Sequence, residues 1–318
     1  MRSGHKSLEK FILLALILAV ALAPVTVSAK SHGLKEAVET LRDDMVARQP
    51  NVLVYLYSYK DLMQDDVVRD DVFFAACSEK YATDYNTGAY LKSNVKSCDV
   101  ATTKLSDDPE RWKISFSNIQ YRTTAEQEAE FDAQLQEVMK ELNVWDERDY
   151  VKCRAIYDYI TSHVEYDQPA YQAHLLGDDS EYDLAYTAYS ALIDGKAVCQ
   201  GYATLFYAMC KLAGLDVLMV DGIAQGKDGW GDHAWNMVKV DGYWYQCDPT
   251  WDSDPTLMGY KYFLKGTDTF KKHRLDLEYT QNDFLSDHIM PVNSYKNSVN
   301  ENPVIRLVKR VKELLLGK

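Results

Sequence analysis

Apolar side chains recur along this chain with two different periods, and the switches between them mark its elements. In residues 32–49, Leu34, Val38, Leu41 and Met45 return at helical spacing, and Pro50 stops the helix. Residues 52–59 are mostly β-branched and aromatic, which predicts a strand. Leu62, Val68, Val72 and Ala76 fit a second helix. Residues 90–102 and 112–121 read as further strands, the latter with Trp112, Ile114 and Phe116 alternating. Thr124-Ala125-Glu126-Gln127 is a capping-box pattern that opens a helix through Phe131, Leu135, Val138 and Leu142. This half reads as a small α+β domain, a sheet with helices on one face.

The chain leaves that helix at residues 143–147, where a soft domain boundary is expected. Residues 150–164 are again helical, with Val151, Ala155, Tyr159 and Ile160 on one stripe. Residues 167–183 are polar and read as a surface loop. A short helix over 184–192 ends at Gly195, and a longer one spans 198–212 with Gly214 at its C-cap. A strand over 216–222 leads into a glycine-rich loop, 226–231. Residues 233–240 and 243–248 then form a hairpin about Asp241-Gly242, a strong two-residue turn signal. Val304, Leu307, Val308, Val311 and Leu314 make a C-terminal amphipathic helix. The expected organisation is a leader over 1–29, an N-terminal α+β domain of unassigned role over 30–145, a second domain over 146–295 and the terminal helix over 296–318.

Composition narrows the classes. Apolar residues make up 47% of the 318, enough for a core, and 48 acidic residues against 35 basic ones leave no stripe for nucleic acid. Arg2, Lys6 and Lys10 precede an apolar run over 11–23, and Val27-Ser28-Ala29 supplies small residues after Pro24. That is a secretory-signal pattern, with an apolar run shorter than the roughly 20 residues a membrane span needs. A secreted or extracytoplasmic chain, cell surface included, with no stable membrane span after cleavage is expected, an uncleaved signal anchor being the alternative. Disulfides are then permitted, and Cys77 with Cys98 is the candidate bridge. No pair among the six cysteines has CxxC spacing, and Asp252-Ser253-Asp254 lacks the EF-hand pattern, so neither a metal nor a cofactor is implied.

Chemistry gathers in the second domain. Cys199 falls at the first turn of an apolar helix, where unpaired N–H groups and the helix dipole favour a thiolate. If Asp241-Gly242 is the two-residue loop, Val240 faces Tyr243 and Asp248 pairs with Trp235. His233, two residues from Trp235, then shares a face with Asp248, within reach of a hydrogen bond. A loop one residue longer would put them on opposite faces. A carboxylate beside an imidazole fixes its tautomer and stabilises its cation. An imidazole that also reaches Cys199 completes a nucleophile, base and orienting group.

Residues 195–203, then His233-Ala234-Trp235-Asn236, then 244–252 around Asp248, resemble the three core motifs of the transglutaminase-like superfamily. The resemblance covers about residues 149–270. It implies a papain-like α+β core, a nucleophile helix packed on an antiparallel sheet. In that core Cys199 is the nucleophile, His233 the general base and acid, and Asp248 the orienting group. The implied reaction is attack of Cys199 on a carboxamide or peptide carbonyl of a protein or peptide substrate, cell-envelope protein among the candidates, through a thioester. Hydrolysis, transfer of a glutamine acyl group to an amine, and a non-catalytic binding module remain open. The Cys199 backbone N–H is one oxyanion donor. No upstream tryptophan or glutamine stands where the family supplies the second, so Tyr189, Tyr186 or Tyr182 is expected to donate a phenol. Gln200 and Trp251 are further candidates for substrate contact.

Overall fold

The computed structural model describes residues 33–57, 72–105, 111–178, 180–227, 229–253 and 259–296. The expected leader, most of the second helix and the C-terminal helix lie outside the described residues. The chain divides into two compact units, the first ending at Ala125 and the second starting at Glu126.

In the first unit, helix α1 (Leu34–Val46) buries Val38, Leu41 and Met45 as its periodicity requires. They pack with Val54 and Leu56 of β1 (Val52–Tyr57) and with Ile114 and Phe116. Residues 90–94 are not strand. They form helix α2 (Ala89–Asn94), because Gly88, at φ 60°, turns the chain and Tyr90, Leu91 and Asn94 then bury one face. The strand β2 (Val95–Lys104) starts only after it, and β3 (Arg111–Tyr121) lies between β1 and β2 in an antiparallel sheet. Cys77 and Cys98 pack in this core but are free thiols, so the expected bridge is not formed. Burial pushes the Cys77 thiol up to about 12, which keeps it protonated.

The second unit begins with α3 (Ala125–Leu142), which buries Phe131, Leu135, Val138 and Met139. Helix α4 (Asp149–His163) follows, but its buried stripe is Tyr150, Cys153, Ile156, Tyr157 and Ile160, rotated from the expected one. Tyr157 explains the rotation: its hydroxyl lies 2.8 Å from Asp248 O and 2.7 Å from Asp252 Oδ2, so a polar tip can be buried. The polar stretch 167–183 is largely helical rather than loop. After the short strand β4 (Glu165–Tyr166), helix α5 (Gln168–Leu175) is capped by Asp167, whose carboxylate accepts from Ala170 N at 3.0 Å, with a proline in its first turn.

The centre of this unit is helix α6 (Cys199–Leu212), entered through β5 (Lys196–Ala197), which pairs parallel with β4. Helix α6 packs on β6 (Val217–Gly226) and β7 (Gly229–Val240). Those two strands run on through most of the expected glycine-rich loop, leaving only residues 227 and 228 between them. Strand β8 (Tyr243–Cys247) and, at the other edge, β9 (His273–Leu275) complete an antiparallel sheet of order β8-β7-β6-β9. A nucleophile helix on an antiparallel sheet is the expected α+β core.

Candidate active site

Three local devices hold Cys199. Its strand β5 is clamped by β4 and by the Val198 N–H, which donates to Ala185 O at 2.9 Å. Gly201 lets the first turn of α6 lie flat on that support, since a Cβ there would stand 2.7 Å from Ala197 Cβ and 2.8 Å from Ala185 O. Asn236 of β7, fully buried, donates through Nδ2 to Ala203 O at 3.0 Å and ties the helix to the sheet. Cys199 is therefore the first helical residue, where a backbone N–H has no intrahelical partner.

The hairpin supplies the other groups. Asp241 and Gly242 both have positive φ, 50° and 85°, as a type I′ turn requires. Val240 pairs with Tyr243 and Asn236 with Cys247, the register that the two-residue loop dictates. Asp248 then leaves β8 and caps the short helix α7 (Pro249–Asp252), with its Oδ1 accepting from Trp251 N at 3.3 Å. His233 Nε2 lies 2.9 Å from Asp248 Oδ2, and the Cys199 side chain is near enough to the His233 ring to favour its protonated form. With Nε2 engaged by the carboxylate, Nδ1 is the ring nitrogen left for the sulfur.

The electrostatics follow from burial of this set. Desolvation opposes the His233 cation, but the Asp248 charge and hydrogen bond outweigh it and raise the ring to about 10. Burial likewise opposes ionisation of Asp248, and the His233 charge with the hydrogen bonds of His233 and His273 outweighs it, holding the carboxyl well below its ordinary range.

The other expected residues divide. Trp251 joins the site: its ring centroid lies 5.5 Å from that of His233. Gln200 sits beside Cys199 in the first turn, its carbonyl accepting from Thr204 at 2.6 Å. Tyr189 is directed elsewhere, because its hydroxyl donates to Glu130 Oε2 of α3 at 2.8 Å. The phenol within electrostatic reach of Cys199 is instead Tyr166. The pairing of β4 with β5 sets Tyr166 opposite Ala197, and burial first, then the adjacent Cys199, raise its hydroxyl. Tyr171, Tyr182 and Tyr186 pack with it against Ala170, Ala185 and Val198.

Sequence reasoning also missed His273. Its Nε2 lies 2.9 Å from Asp248 Oδ2, the oxygen His233 uses. The donor atoms of His233, Asp248 and His273 lie within 4.8 Å of one another. Both ring nitrogens therefore stand at hydrogen-bond length from the same carboxylate oxygen.

Residues 136–249 match the family model of the transglutaminase-like superfamily. Two curated relatives, the kyphoscoliosis peptidases of Homo sapiens and Mus musculus, are each 35% identical over 127 residues, which is 37% of this chain. The match spans only 18% of those relatives' own length. A crystal structure described as that of a TGase aligns over 67% of this chain and 53% of its own, at 14% identity and a TM-score of 0.36. The segment that matches this family model, residues 136–249, is the one that carries Cys199, His233 and Asp248.

Proposed function

We propose that the second unit is a cysteine-dependent acyl-transfer enzyme acting on peptide or carboxamide bonds, with water as its usual acceptor. The observation that carries this reading is the placement of one imidazole between a helix-start cysteine and a buried carboxylate. With the proton of the cysteine–histidine pair already held on His233, the Cys199 sulfur attacks the carbonyl carbon. The carbon–nitrogen bond breaks as His233 returns that proton to the leaving amine or ammonia, leaving a thioester. Water then attacks the thioester, His233 takes a proton from it, and the proton returns to the sulfur as the carboxylic acid leaves. The Cys199 N–H and the Tyr166 hydroxyl are the donors for the oxyanion. Hydrolysis is preferred over amine transfer because the curated relatives are named peptidases.

The test is a glutamine-containing peptide incubated with the protein, with and without a primary amine. Release of ammonia or peptide fragments that Cys199→Ala abolishes is the expected result. Amine incorporation in place of hydrolysis would identify a transglutaminase, and no Cys199-dependent product would leave a binding module. The signal pattern supports export, and the mass of the mature N-terminus tests cleavage after Ala29.

A further inference from the structure

Asp248 serves two histidines through one oxygen. His273 comes from β9, whose pairing with β6 sets His273 opposite Ala224, while Gly222 of β6 faces His233 on the other side. Its ring stacks on Phe270 at 3.9 Å and lies 4.5 Å from Trp251 and 5.1 Å from Trp235. Its side chain is fully buried, and among the described residues its Nδ1 has no hydrogen-bond partner. A buried lone pair without a donor is costly, so a side chain that only filled this aromatic box would be better as phenylalanine. What a phenylalanine would lack is the N–H aimed at Asp248.

We propose that His273 is a positioning residue that fixes the Asp248 carboxylate and shares its charge, so that His233 can release its proton; this rests on the catalytic reading above. Burial keeps His273 neutral, although Asp248 opposes that, and it therefore donates Nε2–H while its orphaned Nδ1 stays unprotonated. Its donation is strongest when His233 is neutral, because Asp248 then carries an uncompensated charge. The bond thus favours the imidazole form of His233 over the imidazolium. Without it, Asp248 would bind the His233 proton more tightly and slow its delivery to the leaving group. The other ionisable groups near the pair are Cys199 on α6, Tyr157 on α4, Tyr166 on β4, Tyr202 on α6, Asp252 and Tyr262 beyond Asp248, and Lys272 beside His273.

Alkylation of Cys199 by iodoacetate in the full chain tests this without a known substrate. The reagent's carboxylate is drawn to the imidazolium, so the rate falls when His233 loses its proton. The rate is followed across pH by the mass of the Cys199 peptide. In His273→Phe the alkaline limb should move up by roughly half a pH unit, the part of a charge-assisted hydrogen bond that differs between the two His233 states. His273→Gln, whose amide replaces Nε2–H, should restore the native limb. His273→Asn is too short to reach Oδ2 and carries the same expectation as His273→Phe should the latter not fold. A native profile in both His273→Phe and His273→Asn, or a shift that His273→Gln does not reverse, overturns the proposal. If the unsubstituted chain and His233→Gln give the same profile, the catalytic reading itself fails, which separates the two outcomes.

Discussion

Three donors converge on the single charge of Asp248: His233, His273 and the Trp251 N–H. The consequence is a stability that depends on pH in two directions. His233 keeps its proton in the folded chain up to about 10, whereas an unfolded histidine loses it near 6.5. Its contribution is complete below 6.5 and is lost as pH rises through 10. Asp248, held below its unfolded value of 3.8, contributes above that value and loses the contribution as pH falls further. Urea unfolding of the unsubstituted chain should therefore show stability falling between pH 6.5 and 10, and His233→Gln should flatten that slope. At neutral pH Asp248→Asn should lower stability by roughly 3–5 kcal/mol, because it strands a buried imidazolium. A second residue-scale prediction concerns Tyr166, the phenol whose hydroxyl feels Cys199. If it donates to the oxyanion, Tyr166→Phe lowers kcat by about 10²-fold with little change in KM. An equal loss in Tyr189→Phe would contradict that assignment, since the Tyr189 hydroxyl is spent on Glu130.

At the scale of elements, legibility followed sequence distance. His233 and Asp248 lie on two strands joined by Asp241-Gly242, so the turn alone sets their register, and simple pairing placed them on one face. Cys199 was legible because a helix start is a local pattern. His273 was not, because β9 has three residues and its partner strand lies some fifty positions earlier in the chain. Tyr166 was hidden for a similar reason, in a two-residue strand that only its pairing with β5 defines. The face of α4 was misread because tyrosines and a cysteine bury there, while Val151 and Ala155 stay partly exposed. The edge pairing of β9 yields its own prediction. A Cβ at Gly222 would meet Arg274 O at 2.1 Å and Trp235 Cη2 at 2.8 Å, and a backbone oxygen cannot swing aside. Gly222→Ala should push β9 off the sheet, cost about 1–3 kcal/mol, and reproduce the iodoacetate profile of His273→Phe although it touches no ionisable group. A stability loss with an unshifted profile would mean that β9 does not act through His273.

For the whole molecule the question is which part of the chain the second unit needs in order to fold. The residue pattern predicts a boundary near 145, just past the end of α3, whereas the compact units divide after Ala125, the first residue of α3. Within the second unit α3 is tied to the segment before β5 by the bond between Glu130 and Tyr189. Its Phe131, Leu135 and Met139 are fully buried. At about 1.5–3 kcal/mol for each such side chain, removing the helix gives up roughly 5–9 kcal/mol. That is comparable to the whole margin of about 5–15 kcal/mol that holds a domain folded. A chain of residues 126–296 should therefore unfold cooperatively and keep the iodoacetate reactivity of Cys199. A chain of residues 146–296 should lose cooperative unfolding, or melt well below it, and its Cys199 should react with the pH profile of an ordinary thiol. Equal stability of the two would place the working boundary at 145 and assign α3 to the N-terminal half, so thermal melts of the pair decide where the second unit starts.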